Sequence, residues 1–191
     1  PSSAASDVYK RQQGCMLEPH PRKEGRQVLY LTYRPDASLV ADTRGAVWNF
    51  PAMKKGTFTV SLRIPEGSHS VSLLLNDRWM NPSDTVARYQ SMYELPLTRK
   101  QLGVKDDRWH EVSLEWDLLQ KRPQARVRVD GQLRPLRLPL KNKSQNGISY
   151  VHFIAPPAEA NPGVYLEWVR AEADGAVSYT HLRAHETLSD L

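Results

Sequence analysis

The chain is short of the residues on which several classes of protein depend. One of its 191 residues is a cysteine, Cys15, so no internal disulfide can form. A single cysteine is compatible both with the cytoplasm and with bacterial export. No apolar run approaches the roughly 20 residues of a membrane-spanning helix. Sustained 3.6-residue periodicity is scarce, which argues against a helical bundle. His20, His69, His110 and His152 are isolated from one another, and no pair has metal-ligand spacing. The chain has no nucleophile elbow, no phosphate-cradling glycine loop and no Cys–His pairing. The formal charge is +5, but the basic residues interleave with acids over strands and loops. That reads as a solvated mixed-charge surface and gives no nucleic-acid footprint.

What the chain does have is period-two alternation. From Trp109 to Gln132, Val112, Leu114 and Trp116 alternate with Glu111, Ser113, Glu115 and Asp117. After a turn-rich segment, Ala125, Val127 and Val129 alternate with Arg126, Arg128 and Asp130. Asp130-Gly131 supplies the two positive-φ positions of a tight hairpin. Further strands are expected at 28–33, 46–50 (ended by Pro51), 57–64, 69–75 (pairing back on the previous strand), 92–97, 133–140, 148–154 and 164–171. Pro96, Pro135 and Pro139 mark sheet edges or strand ends. About ten short strands with turn signals between them predict an all-β fold, an antiparallel β-sandwich or jelly roll.

The two ends read differently from the middle. Ser2–Gln12 (SSAASDVYKRQ) and Val177–Thr187 (VSYTHLRAHET) resemble the two translated ends of a transposase sequencing adapter. The expected organisation is therefore 1–12 adapter-derived, 13–26 a Pro-, Gly- and charge-rich linker, 27–174 the β-sandwich, and 175–191 a mostly adapter-derived tail.

Three constellations could carry chemistry. Glu111 and Glu115 share a strand face and could form the carboxylate pair of a glycoside hydrolase or lyase. Their Cα atoms are roughly 13 Å apart along a strand, so the carboxylates would have to lean together to the roughly 5–5.5 Å of a retaining pair. The alternative is that Glu115 faces Arg126 or Arg128 across a hairpin, in pairs contributing about 0.2–1 kcal/mol each. Asp36, Asp42, Asp77 and Asp84 are the loop carboxylates open to a structural calcium, although their spacing matches no EF-hand-type loop; no cofactor is otherwise expected. Residues 76–84 (NDRWMNPSD) form the longest stretch without alternation. Asp77, Arg78, Trp79, Asn81 and Asp84 there combine an aromatic face with planar polar groups, the set expected to hold a sugar. The competing expectation is a loop stitched to its own backbone, with Trp79 capping the core.

Several segments together resemble one family. GAVWNFPAMKKGTFTVSLRI (45–64), LNDRWMNPSD (75–84), LPLT (95–98), RWHEVSLEWD (108–117), VRVDGQ (127–132), NGISYVHF (146–153) and GVYLEWVRAE (163–172) are similar to the concanavalin A-like, laminin-G-like sandwich of bacterial sialidase-type (BNR-repeat) proteins. The resemblance implies a secreted or periplasmic accessory module, non-catalytic, that binds carbohydrate or has a structural role beside the catalytic domain of the same chain. The sialidase arginine triad, tyrosine nucleophile and Asp-box repeats are not in this sequence, so the resemblance transfers no catalytic residue. The implied partner is a glycan or the flanking catalytic domain, with no nucleic acid and no membrane span. A glycoside hydrolase or lyase using Glu111 and Glu115, or a protein–protein interaction module, are the alternatives.

Overall fold

A computed structural model describes residues 15–33, 44–81, 84, 86–173 and 176–181. The larger of its two sheets is ordered β1 (Cys15–Pro19), β2 (Gln27–Leu31), β11 (Val164–Ala173), β4 (Lys55–Arg63), β7 (Trp109–Asp117), β8 (Gln124–Val129) and β9 (Gln132–Pro139). β12 (Ala176–His181) pairs with the second half of β11, beyond the point where β2 leaves it. The smaller sheet is ordered β3 (Arg44–Met53), β10 (Ile148–Ala155), β5 (Ser72–Asn76) and β6 (Tyr93–Pro96). Every recorded pairing is antiparallel. Two four-residue helices, α1 (Ala87–Gln90) and α2 (Arg99–Leu102), complete the described secondary structure. The fold is an antiparallel jelly-roll sandwich, as the alternation predicted.

The core lies between the inner faces of the sheets. On the larger sheet Phe58, Val60 and Leu62 of β4, Val112, Leu114 and Trp116 of β7, and Ala125, Val127 and Val129 of β8 are buried. Val151 and Phe153 of β10 and Leu73 and Leu75 of β5 meet them from the smaller sheet. Each such side chain contributes about 1.5–3 kcal/mol through burial, which fixes which face of each strand turns inward. An aromatic group reinforces one end: Phe50 lies 6.1 Å from Phe58 and 6.5 Å from Trp116, centroid to centroid. Trp116 Nε1 donates to the Met53 carbonyl at 3.1 Å, so even the buried indole is satisfied. Gly56 is required beneath it, because a Cβ there would stand 2.9 Å from the Trp116 ring and 2.8 Å from Met53 Sδ.

The hairpin that motivated the fold assignment forms as predicted. Asp130 has φ 50° and Gly131 φ 78°, the primed two-residue turn. Two strand expectations need correction. β3 does not stop at Pro51 but runs to Met53, because Pro51 falls where the β3–β10 ladder shifts register and no N–H is needed. β5 does not pair back on β4. It crosses to the smaller sheet and lies between β10 and β6, buried along its whole length. The segment expected to be a linker holds β1, paired with β2 from Cys15↔Leu31 to Pro19↔Gln27. Ala176–His181, in the expected adapter-derived tail, forms β12 against β11.

Candidate functional site

The segment that leaves β5 crosses the outer face of the smaller sheet as a strap. Its anchor is His152, fully buried on β10. His152 Nδ1 lies 2.6 Å from Asn76 Nδ2, and Nε2 lies 3.0 Å from the Met80 carbonyl and 3.1 Å from the Met80 nitrogen. With Nδ1 accepting from the Asn76 amide, Nε2 carries the proton and donates to Met80. A second proton on Nδ1 would set N–H against N–H. Burial pushes the ring's pKa down to about 4, with the Met80 backbone hydrogen bond opposing it.

The strap separates the residues proposed from the sequence. Asp77 is almost wholly buried at its side chain and accepts from Arg78 Nε at 2.9 Å, from Arg78 Nη2 at 3.3 Å and from Ser144 Oγ. Burial favours its neutral form, but the hydrogen bonds from Arg78 and Ser144 outweigh that and hold the carboxyl below its usual range. Ser149 Oγ donates to the Asp77 carbonyl at 3.2 Å, tying the strap to β10 as well. Asp84 caps a turn, its Oδ1 accepting from Val86 N at 3.0 Å, while its own N–H donates to the Asn81 carbonyl at 3.0 Å. Both carboxylates are therefore engaged in stitching the loop. Trp79 does not cap the core, being 41% exposed, and Met80 is the residue that turns inward. Arg78 and Asn81 are also exposed. Of the five, Asp77 pairs with Arg78 and Asp84 with the Asn81 backbone, and Trp79 stands exposed beside them.

Glu115 stands opposite Arg126 and is held by Arg126 Nη2 at 2.9 Å and by Arg128 Nε at 2.6 Å. Glu111 lies further along β7, and its backbone N–H donates to Asp130 Oδ1 at 2.9 Å. His20 stacks on Trp109 at 5.2 Å, near the buried Glu167, which Lys23 Nζ contacts at 2.5 Å. His110 is clasped between Asp106 (2.8 Å) and Asp130 (2.7 Å). Arg108 and His110 hold the Asp106 carboxyl well below the usual range. Asp36 and Asp42 lie outside the described residues. Among those described, no three His, Cys, Asp or Glu side chains come together as a metal site.

What the sequence reading missed lies on the polar face of the larger sheet. An open groove of about 770 Å³ is lined by Lys55 and Thr57 of β4, Glu115 and Asp117 of β7, Gln120 and Arg122 of the following turn, Gln124, Arg126 and Arg128 of β8, Arg137 of β9 and Glu172 of β11, with Val177 at one end. That volume is in the range of small-molecule sites, roughly 300–1,000 Å³. The strand registers arrange the lining in rows. One runs Glu172, Thr57, Glu115, Arg126, Arg137 across five strands, and the next runs Lys55, Asp117. A signal for it was present: the Asp130-Gly131 turn pairs Val129 with Gln132, and parity then puts Arg126 and Arg128 on the face of the odd-numbered residues of β9, Arg137 included.

Fold and groove together define an antiparallel jelly-roll sandwich with an open polar sheet face. Among solved structures the chain is similar to a sialidase, with TM-score 0.54 and 10% identity over 85% of this chain and 17% of that one. It is also similar to a tetrameric galectin from the ball sponge Cinachyrella sp. (TM-score 0.42, 11% identity, 68% and 99% covered) and to a legume lectin-like domain from Entamoeba histolytica (TM-score 0.42, 8% identity, 94% and 93% covered). No family model and no curated protein matches the sequence. At these identities the likeness is one of fold, and the chain spans 17% of the sialidase's length.

Proposed function

We propose that this sandwich is a non-catalytic carbohydrate-binding module of a longer, exported protein of the sialidase or glycoside hydrolase type, and that glycan occupies the groove on the larger sheet. The supporting observation is the groove itself: Gln120, Arg122, Gln124 and Arg126, planar hydrogen-bonding side chains, line one open cleft on a strand scaffold. Such groups engage paired sugar hydroxyls with defined geometry. The likeness to a sialidase over a small part of its length and the sequence resemblance to sialidase accessory domains agree with a module of this kind. The non-catalytic reading draws on Glu115, which is neutralised by two arginines, and on Glu111, which is not among the groove-lining residues, so the pair does not share the cleft.

The test is a glycan array followed by calorimetric titration of the best binder, using the whole chain. Gln124→Ala combined with Arg126→Ala should abolish binding while far-ultraviolet circular dichroism stays unchanged, and Trp79→Ala should leave affinity intact. Loss of binding in Trp79→Ala alone would move the site to the strap. A folded domain that binds no glycan would remove the carbohydrate reading and leave a structural accessory role.

A further inference from the structure

The charges in the groove are not balanced within it. Its lining carries five basic side chains (Lys55, Arg122, Arg126, Arg128 and Arg137) against three acidic ones (Glu115, Asp117 and Glu172). Glu115 is shared between Arg126 and Arg128, Glu172 pairs with Arg170 at 3.3 Å, and Asp117 Oδ1 accepts from Leu119 N at 3.0 Å. Among the described residues, the side chains of Lys55 and Arg122 make no ion pair or hydrogen bond. Arg137 stands directly opposite Arg126 across the β8–β9 ladder, and its Nη1 donates only to the Arg134 and Leu136 carbonyls. Like charges directly opposite on neighbouring strands destabilise a sheet. A second anion between them would convert that repulsion into attraction.

We infer that the groove selects an anionic glycan, one carrying carboxylate or sulfate groups, with Lys55 and Arg122 as the unpartnered cations that receive the charge and Arg126 and Arg137 flanking it. This rests on the groove being the glycan seat. The lining is ill suited to single-stranded nucleic acid. Its one aromatic residue, Trp116, is 2% exposed, so no ring face is offered for base stacking. Thr57, Gln120 and Gln124 supply neutral partners for hydroxyl groups between the charges.

Three polymers with one backbone separate charge from sugar: dextran, carboxymethyl-dextran and dextran sulfate, titrated against the whole chain at about 150 mM salt, where exposed charges more than roughly 8 Å apart are screened. A single-stranded oligonucleotide is the fourth arm. One or both anionic dextrans should bind and dextran should not, and the stronger of the two identifies carboxylate or sulfate as the preferred group. Lys55→Gln and Arg122→Gln should each weaken that binding about tenfold, the loss of one charge-assisted hydrogen bond. Lys100→Gln, on α2 and not among the groove-lining residues, removes the same charge and should change nothing. Equal weakening by Lys100→Gln, tighter binding of the oligonucleotide, or no binding of either anionic polymer overturns the inference. So does equal affinity for neutral dextran, an outcome that leaves the carbohydrate reading standing; a blank glycan array removes both.

Discussion

Acidification from pH 7 to pH 5 should weaken the fold through His152. The imidazole is fully buried and its pKa is pushed down to about 4, against about 6.5 in an unfolded chain. Between those values the unfolded state binds a proton that the folded state does not, so stability is greatest above pH 6.5 and falls as pH falls toward 4. Integrated over the single site, the loss between pH 7 and pH 5 is about 2 kcal/mol, rising to about 3 kcal/mol by pH 4. Asp77 and Asp106, whose carboxyls are held low, add their losses at lower pH, as the unfolded carboxylates protonate. Urea denaturation at half-unit steps, at constant ionic strength, measures the slope. His152→Gln is less stable at neutral pH because Asn76 and Met80 lose a partner, but it should lose the part of the slope that belongs to this ring. An imidazole C2–H resonance of His152 titrating near pH 6.5 in the folded protein, or equal slopes in the two proteins, would refute the reasoning. The strap that bears Arg78 and Trp79 hangs on the same ring through Met80, so its hydrogen-exchange protection should fall over the same pH range.

The remaining predictions concern two fixed points of the sandwich. Asp77→Ala leaves Ser144 and Arg78 without their buried acceptor and should cost about 2 kcal/mol by urea denaturation, the range for charged hydrogen bonds, with glycan affinity unchanged; lost affinity at unchanged stability would return Asp77 to a binding role. Gly163→Ala would place a Cβ 1.9 Å from the Leu31 carbonyl oxygen and 2.6 Å from the Thr32 Cβ, where backbone must move. It should destabilise by about 3 kcal/mol or more, as severe overpacking does, and a melting temperature within a degree of the parent would show that β2 and β11 can separate freely there.

Local signals carried most of the architecture. The alternation in β4, β7 and β8 and the Asp130-Gly131 turn each have a physical cause confined to a few residues, and each appears in the structure where predicted. The fate of β5 was not legible in this way. Its five residues are all buried, and a strand buried on both faces has no alternation from which to read a partner. β1 escaped detection because a short, proline-ended edge strand looks like a linker until its neighbour is known. At the strap, composition was read correctly as polar and aromatic, but composition does not say whether a carboxylate points at a ligand or at Ser144. The groove required the opposite: its residues come from strands distant in sequence, and only the registers bring Arg126 and Arg137 face to face.

One border of the larger sheet has a consequence for how copies of this domain behave when crowded. β9 is that border, and its ladder to β8 shifts register between Arg126 and Arg128, where Arg134, Pro135 and Leu136 together stand opposite Val127. Pro135 offers no N–H, Pro139 closes the strand, and the Arg137 guanidinium covers two carbonyls of the bulge. A visiting strand meets no straight row of donors and acceptors there, and meets positive charge instead. For domains displayed side by side at high local concentration, this border is a poor template for edge-to-edge pairing.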